Sequence, residues 1–362
     1  MDKKLFIAAL LLGGSVAFSL QAQTPVCPCN LKPNESYLLY PKGQGVDEGI
    51  MVEKTVVLDK AAARKARSKT SVVRTPITLG PGESNGYTVP ESMNSNGNIE
   101  FVGDSARIDI YIPEHPNGQM VVNCAGGGYR IVSSWNEGVY AANWLVSQGI
   151  TACIVTYRLP NGHWEIPLRD MQNAFRWCRA NAKRLGVDQI GVMGYSAGGH
   201  LAASVSTMYV DSLTRPDFSV LIYPVITLEK RDTHMGTRQY LLGKDAEWAE
   251  KAQNGDAYAE AVHYGLQARY SLQNNVTPDT PPTFMALSAN DKTVPVSNSL
   301  MYFQKLVDNK VPCEMHIYPT GGHGWGFTTS EFGAGGRDGI KEYRSEFFTA
   351  LSRFLKDVHS KK

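Results

Sequence analysis

From about residue 106 onward the sequence alternates short apolar runs with longer amphipathic ones, and this alternation restricts the fold more than any other feature. The runs 107–112, 120–124, 149–157, 189–194, 218–226, 283–288 and 313–318 read as strands. Segments 137–148, 167–185, 197–208, 297–309 and 339–358 carry helical spacing or are too long for strands. Within 167–185, for example, Met171, Ala174, Phe175 and Cys178 fall at i, i+3, i+4 and i+7. Strands and helices in turn predict an α/β fold, with a mostly parallel central sheet and helices on both faces. In such a sheet the functional loops lie beyond the carboxyl ends of the strands.

Two regions break the pattern. Residues 23–105 are rich in Gly, Pro, Ser, Asn and Lys and read as an N-terminal extension that adds the first strands. Its basic stretch from Lys60 to Lys69 reads as a solvated helix face or linker. Residues 228–275 carry Trp248, Tyr258, His263, Tyr264 and Tyr270 among polar residues between two strands, the layout of a small helical cap insertion. The catalytic domain is therefore expected over 106–362, with this cap inside it.

Residues 1–22 begin with Lys3 and Lys4, continue through an apolar run over 5–20 and end in Ala22, the layout of a cleaved export signal. That run contains Gly13, Gly14 and Ser15 and is shorter than the ~20 apolar residues of a spanning helix. No membrane span is expected, and the mature chain is placed in the periplasm or outside the cell. Export permits disulfides, and the six cysteines form an even set. However, Cys124, Cys153 and Cys178 lie in apolar segments where buried thiols explain them as well as bridges do. Cys27 and Cys29 have no second pair or nearby His, so no zinc site is read. With 36 Lys and Arg against 34 Asp and Glu, no basic excess points to a nucleic-acid partner.

The chemistry concentrates around residue 196. The strand 189–194 runs into Gly194-Tyr195-Ser196-Ala197-Gly198 and then a helix, the strand–turn–helix context of a nucleophile elbow. A strained turn lifts Ser196 Oγ above the sheet, and glycines at 194 and 198 let the neighbouring backbone pass close. A serine hydroxyl needs a base, and the base needs a partner that fixes its tautomer. Downstream, Asp291 follows the strand 283–288, and the Gly-bracketed His323 follows the strand 313–318, giving the order Ser, acid, His. His316 falls inside a strand, and His200 sits within the helix after the elbow, where packing is its expected role. The loop after the third strand, Ala125-Gly126-Gly127-Gly128-Tyr129, supplies backbone N–H groups. The oxyanion hole is assigned to Gly127 or Gly128 together with Ala197 at the helix N-terminus. Tyr129 and Trp325 are expected as substrate contacts; Phe327, Trp135 and Trp164 are further aromatic candidates, each explained equally well by core packing. Neither a phosphate loop nor an H-E-x-x-H motif occurs, and Gly333 to Gly339 lacks the preceding strand of a nucleotide site. Acyl transfer to water with no metal or organic cofactor is the reaction these residues imply.

Several motifs in one order resemble exported bacterial α/β-hydrolases of the acetylxylan-esterase and feruloyl-esterase-like group. They are Gly126-Gly127-Gly128-Tyr129, Tyr157-Arg158-Leu159-Pro160, the elbow through His200-Leu201-Ala202, Leu221 to Ile226, Pro281 to Phe284, Asp291 with Val294-Pro295-Val296, and Gly321-Gly322-His323-Gly324. The resemblance covers about residues 107–357, and the chain departs from it at Ala125, where family members usually carry Pro. It implies the α/β-hydrolase fold and an acylated plant polysaccharide or oligosaccharide as substrate, with release of acetate or less often of a hydroxycinnamate. Other readings that keep the serine machinery are a lipase-like carboxylesterase and a small peptidase. A full propeller-bearing oligopeptidase is excluded, because only 195 residues precede Ser196. A non-catalytic glycan-binding relative is the reading from a different class.

Overall fold

The computed structural model describes residues 27–40, 51–57, 72–78, 92–102, 106–329 and 338–360. The expected export signal, the basic stretch 60–69 and most of the loop 333–339 lie outside the described residues. Eight strands form one sheet: β1 (Glu35–Leu38), β2 (Arg107–Tyr111), β3 (Gln119–Cys124), β4 (Thr151–Thr156), β5 (Gln189–Tyr195), β6 (Ser219–Ile222), β7 (Thr283–Ser288) and β8 (Cys313–Tyr318). Their order is β1-β2-β4-β3-β5-β6-β7-β8. β2 pairs antiparallel with both β1 and β4, and every other pairing is parallel.

Strands β3, β4, β5, β6 and β7 are buried along their whole length, which explains why they read as continuous apolar runs rather than alternating ones. The period of two survives in which core each side chain enters. Val122, Val192, Leu221 and Met285 pack on one face, whereas Val121, Met193, Val220 and Phe284 pack on the other.

The helices are α1 (Tyr140–Ser147), α2 (Glu165–Asn181), α3 (Ser196–Thr207), α4 (Met235–Leu242), α5 (Asp245–Gln253), α6 (Ala259–Arg269), α7 (Ser297–Asp308) and α8 (Arg344–Ser360). Helices α2, α3 and α7 cover the first face through Phe175, Leu201 and Tyr302 among others. The opposite face is closed by α1 and α8 through Leu145, Phe347, Leu351 and Phe354. The predicted stripe Met171, Ala174, Phe175 and Cys178 is wholly buried.

Several boundaries differ from the sequence reading. The segment expected to be helical from 137 opens with a π turn over Trp135–Val139 before α1 begins. The strand expected over 218–226 stops at Ile222, because Tyr223 adopts φ +36° and turns the chain out of the sheet. The last helix begins at Arg344, after a 3-10 turn over Lys341–Tyr343.

In the N-terminal region, β1 extends the sheet edge, with Glu35 opposite Ile110. A separate antiparallel pair joins Met51–Val57 to Val72–Thr78. A short pair, Ser92–Met93 with Ile99–Phe101, docks on the loop after β3, where Ile99 and Val132 exchange backbone hydrogen bonds of 2.8 and 2.9 Å. Helices α4, α5 and α6 occupy the insertion between β6 and β7. All six cysteines are free thiols, and Cys124, Cys153 and Cys178 are buried. No helix among the described residues is long and apolar enough to cross a membrane.

Candidate active site

Ser196 follows directly on β5 and opens α3 with φ +52°, a conformation that costs a non-glycine residue energy and persists only where surroundings impose it. The glycines around it are those surroundings. A Cβ on Gly194 would stand 2.2 Å from the Gly198 carbonyl oxygen, and one on Gly198 would stand 2.2 Å from that of Cys124. The turn therefore closes only with glycine at both positions.

Asp291 lies beyond β7 and His323 beyond β8, so all three side chains arise at the carboxyl end of the sheet. His323 Nε2 is 2.8 Å from Ser196 Oγ, and His323 Nδ1 is 2.6 Å from Asp291 Oδ2. Asp291 Oδ1 accepts the N–H groups of Thr293 at 2.8 Å and Val294 at 3.0 Å. Burial works against the charge on Asp291. The hydrogen bond and charge of His323, with the Val294 and Thr293 N–H groups, nevertheless hold its carboxyl below the ordinary carboxylate range. The next loop is tied to the same place, because the Gly322 N–H donates to Asn290 Oδ1 at 2.8 Å.

On the other side of Ser196 stands the glycine loop. A Cβ on Gly126 would stand 2.9 Å from Ser196 Cβ, so the loop passes against the serine itself. Gly127 and Gly128 take φ +123° and +66°, and neither of their N–H groups has an acceptor among the described residues. With Ala197 at the N-terminus of α3, these are the backbone donors available to an oxyanion. Ala125 is pinned by the Tyr157 hydroxyl, which donates to its carbonyl at 2.7 Å.

Two expected substrate contacts are corrected. Tyr129 is fully buried, and its φ of +59° carries the side chain into the core, where its hydroxyl lies 3.0 Å from His200 Nδ1. His200 Nε2 lies 2.8 Å from the Tyr270 carbonyl, which only accepts, so Nε2 carries the proton and the Tyr129 hydroxyl donates to Nδ1. Trp325 is 3% exposed; its indole N–H donates to Ser288 Oγ at 3.1 Å, and its ring packs edge-on against Tyr223 at 4.9 Å. It props the His323 loop from behind. Phe327 and Trp135 are also buried, and Trp164 packs on Trp248.

The sequence reading missed the polar support beneath the site. The π turn presents two neighbouring residues to the two loops. Asn136 Nδ2 donates to the Gly324 carbonyl at 2.8 Å, and Asn136 Oδ1 accepts the Thr328 N–H at 3.1 Å. Glu137 is buried and accepts the Gly126 N–H at 2.7 Å on Oε2 and the Tyr223 hydroxyl at 2.9 Å on Oε1. Tyr223 in turn accepts the Gly326 N–H at 2.7 Å, and its ring lies 4.8 Å from the imidazole of His323. Burial pushes the Glu137 carboxyl above its ordinary value, against the hydrogen bonds from Tyr223 and Gly126. One carboxylate thus links the glycine loop to the His323 loop. Among the described residues no cluster of His, Cys, Asp and Glu has the makings of a metal site.

A family model described as the alpha/beta hydrolase fold matches residues 121–327, more than half of the chain. The chain is similar to an acetylxylan esterase of Xylanibacter ruminicola, 38% identical over 71% of this chain and 49% of the relative. It is also similar to endo-1,4-beta-xylanase B of Butyrivibrio fibrisolvens, 31% identical over 61% of this chain and 34% of the relative. It therefore spans about half and about a third of the lengths of these curated relatives. Among solved structures, an acetyl ester-xyloside bifunctional hydrolase from Caldicellulosiruptor lactoaceticus superposes with a TM-score of 0.57 at 31% identity, covering 70% of this chain and 89% of the other. With the strand order, the elbow and these matches together, the chain belongs to the α/β-hydrolase-fold family.

Proposed function

We propose that this chain is an exported serine esterase that removes acetyl groups from plant polysaccharides or oligosaccharides such as xylan. The observation that carries the reading is His323, hydrogen-bonded to Ser196 on one nitrogen and to Asp291 on the other. The names of the relatives, an acetylxylan esterase and an acetyl ester-xyloside hydrolase, favour acetyl over other acyl groups and a xylan-type alcohol.

In this mechanism His323 takes the Ser196 proton as Oγ attacks the ester carbonyl, and Asp291 holds the imidazole in the tautomer that allows it. The tetrahedral oxyanion is received by the N–H groups of Gly127, Gly128 and Ala197. One such donor is worth roughly 3–4 kcal/mol of transition-state stabilisation. Collapse releases the sugar hydroxyl, protonated by His323. Water, deprotonated by the same imidazole, then cleaves the acyl–Ser196 bond to give acetate.

Mass spectrometry of the acids released from acetylated and feruloylated xylan oligosaccharides, with Ser196→Ala as the control, tests the assignment. Acetate release that disappears in the variant is the expected result. Ferulate release would make the enzyme a hydroxycinnamoyl esterase. Absence of both acids, with Ser196 still labelled by a fluorophosphonate, would retain the serine hydrolase and overturn the xylan assignment.

A further inference from the structure

His234 caps the N-terminus of α4, the first helix of the insertion. The Thr237 amide donates to its Nδ1 at 3.2 Å, and the Thr237 hydroxyl lies 2.9 Å from the same nitrogen. A backbone amide only donates, so Nδ1 carries the lone pair and Nε2 of the neutral ring carries the proton. That Nε2–H has no acceptor among the described residues, and the ring is half-buried.

The position of the ring is informative. Its Cε1, bonded to Nε2, lies 3.6 Å from where a Cβ on Gly128 would stand. The imidazole also lies close enough to His323 and Asp291 to feel the charge of both. An unclaimed donor therefore stands beside the oxyanion glycines, supplied by the insertion rather than by the sheet. Capping alone does not call for histidine, since Asn, Asp, Ser and Thr are the preferred caps. What histidine adds at this cap is the second nitrogen.

We propose that His234 is a substrate-binding residue whose Nε2–H donates to an oxygen on the alcohol side of the bound ester, a sugar hydroxyl or ring oxygen. This rests on the esterase reading above. The carbonyl oxygen already has the N–H groups of Gly127, Gly128 and Ala197, and an acetyl methyl offers no acceptor. The acceptors that remain in such a substrate belong to the alcohol.

The test uses variants that separate the two ring nitrogens. His234→Asn keeps an acceptor for the Thr237 amide, but its amide N–H groups stop short of the place of Nε2, whereas the longer side chain of His234→Gln carries an N–H to about that place. For His234→Asn, kcat/KM on a monoacetylated methyl xyloside is expected to fall about tenfold, mainly through KM, the scale of one hydrogen bond. Hydrolysis of p-nitrophenyl acetate, whose alcohol has no hydroxyl beside the ester, is expected to stay within about twofold. His234→Gln should recover part of the loss, and His234→Asp, a strong cap with no side-chain N–H at all, should lose at least as much as His234→Asn. Equal loss on both esters, or no loss on either, overturns the proposal. If the wild-type protein cleaves p-nitrophenyl acetate but no acetylated xyloside, the sugar assignment fails, and the comparison moves to glyceryl monoacetate against ethyl acetate. Unequal losses there sustain the role of His234 and equal losses overturn it. A wild-type protein that cleaves no ester overturns both readings.

Discussion

Asp291→Asn is the substitution whose consequence the hydrogen bonds dictate most fully. Asp291 Oδ2 faces His323 Nδ1, while Oδ1 accepts two backbone N–H groups, those of Thr293 and Val294. An amide at this position has two orientations. With its oxygen on the two N–H groups, its –NH2 points at His323 Nδ1, which must then accept. The imidazole proton moves to Nε2, directed at Ser196 Oγ, and the base is lost. The reverse orientation restores the tautomer but sets –NH2 against both backbone donors. Thr293 is exposed and its N–H can return to water, but the N–H of the buried Val294, left unpaired, costs about 1–3 kcal/mol, so the productive orientation lies higher by about that amount. At about 1.4 kcal/mol per factor of ten, kcat is expected to fall between about 5-fold and about 150-fold. Turnover of p-nitrophenyl acetate and the second-order rate of fluorophosphonate labelling should fall together while the thermal midpoint holds. A loss below about threefold in a folded variant would refute the reasoning.

Glu137→Gln leaves one acceptor for two donors, so either the Gly126 N–H or the Tyr223 hydroxyl meets an amide donor. A cost of about 1–3 kcal/mol follows, read as a lowered thermal midpoint, and kcat should drop more than KM rises because Gly127 is the next residue; an unchanged midpoint and kcat would contradict the bridging role. His200 bears on acid stability. Burial lowers its pKa to about 4, whereas the unfolded chain takes up the same proton near 6.5. The unfolded state therefore binds more protons between those values, and stability falls as pH drops through them, by about 3 kcal/mol in full. Denaturant unfolding of wild type and His200→Gln at pH 7 and pH 4.5 should show the wild-type protein losing about 2–3 kcal/mol more than the variant on acidification; equal losses would show that His200 takes up its proton in the folded state.

The parts of the molecule legible in the sequence are those for which position along an element is enough. Strands β3 to β7 announce themselves because burial on two faces demands unbroken apolar runs, and Ser196, Asp291 and His323 each stand just past a strand end, where the fold gathers such residues. Side-chain direction is a different quantity, set by backbone torsions that neighbouring letters do not reveal. Tyr129 directly follows Gly127 and Gly128 yet faces away from Ser196, because its φ of +59° turns Cβ toward His200. Trp325, two residues past His323, is buried against Tyr223, with its indole N–H on Ser288 Oγ.

Glu137 escaped notice because a charge in an amphipathic segment ordinarily marks the solvent face. A signal did exist: Tyr140 and Ala141, at i+3 and i+4, are both buried, so the glutamate sits on the apolar side of its own helix. A carboxylate there must have donors waiting, since leaving it unpaired in the core is prohibitive. One of them comes from the glycine loop that opens beside Ser196, the Gly126 N–H, and the other is the Tyr223 hydroxyl. The supporting shell is thus written as an apparent error of hydrophobic pattern, while the reacting groups are written at the ends of well-formed strands. His234 obeys neither rule, because nothing in its sequence neighbourhood singles it out and only the geometry shows that its bond to the Thr237 amide leaves Nε2 over.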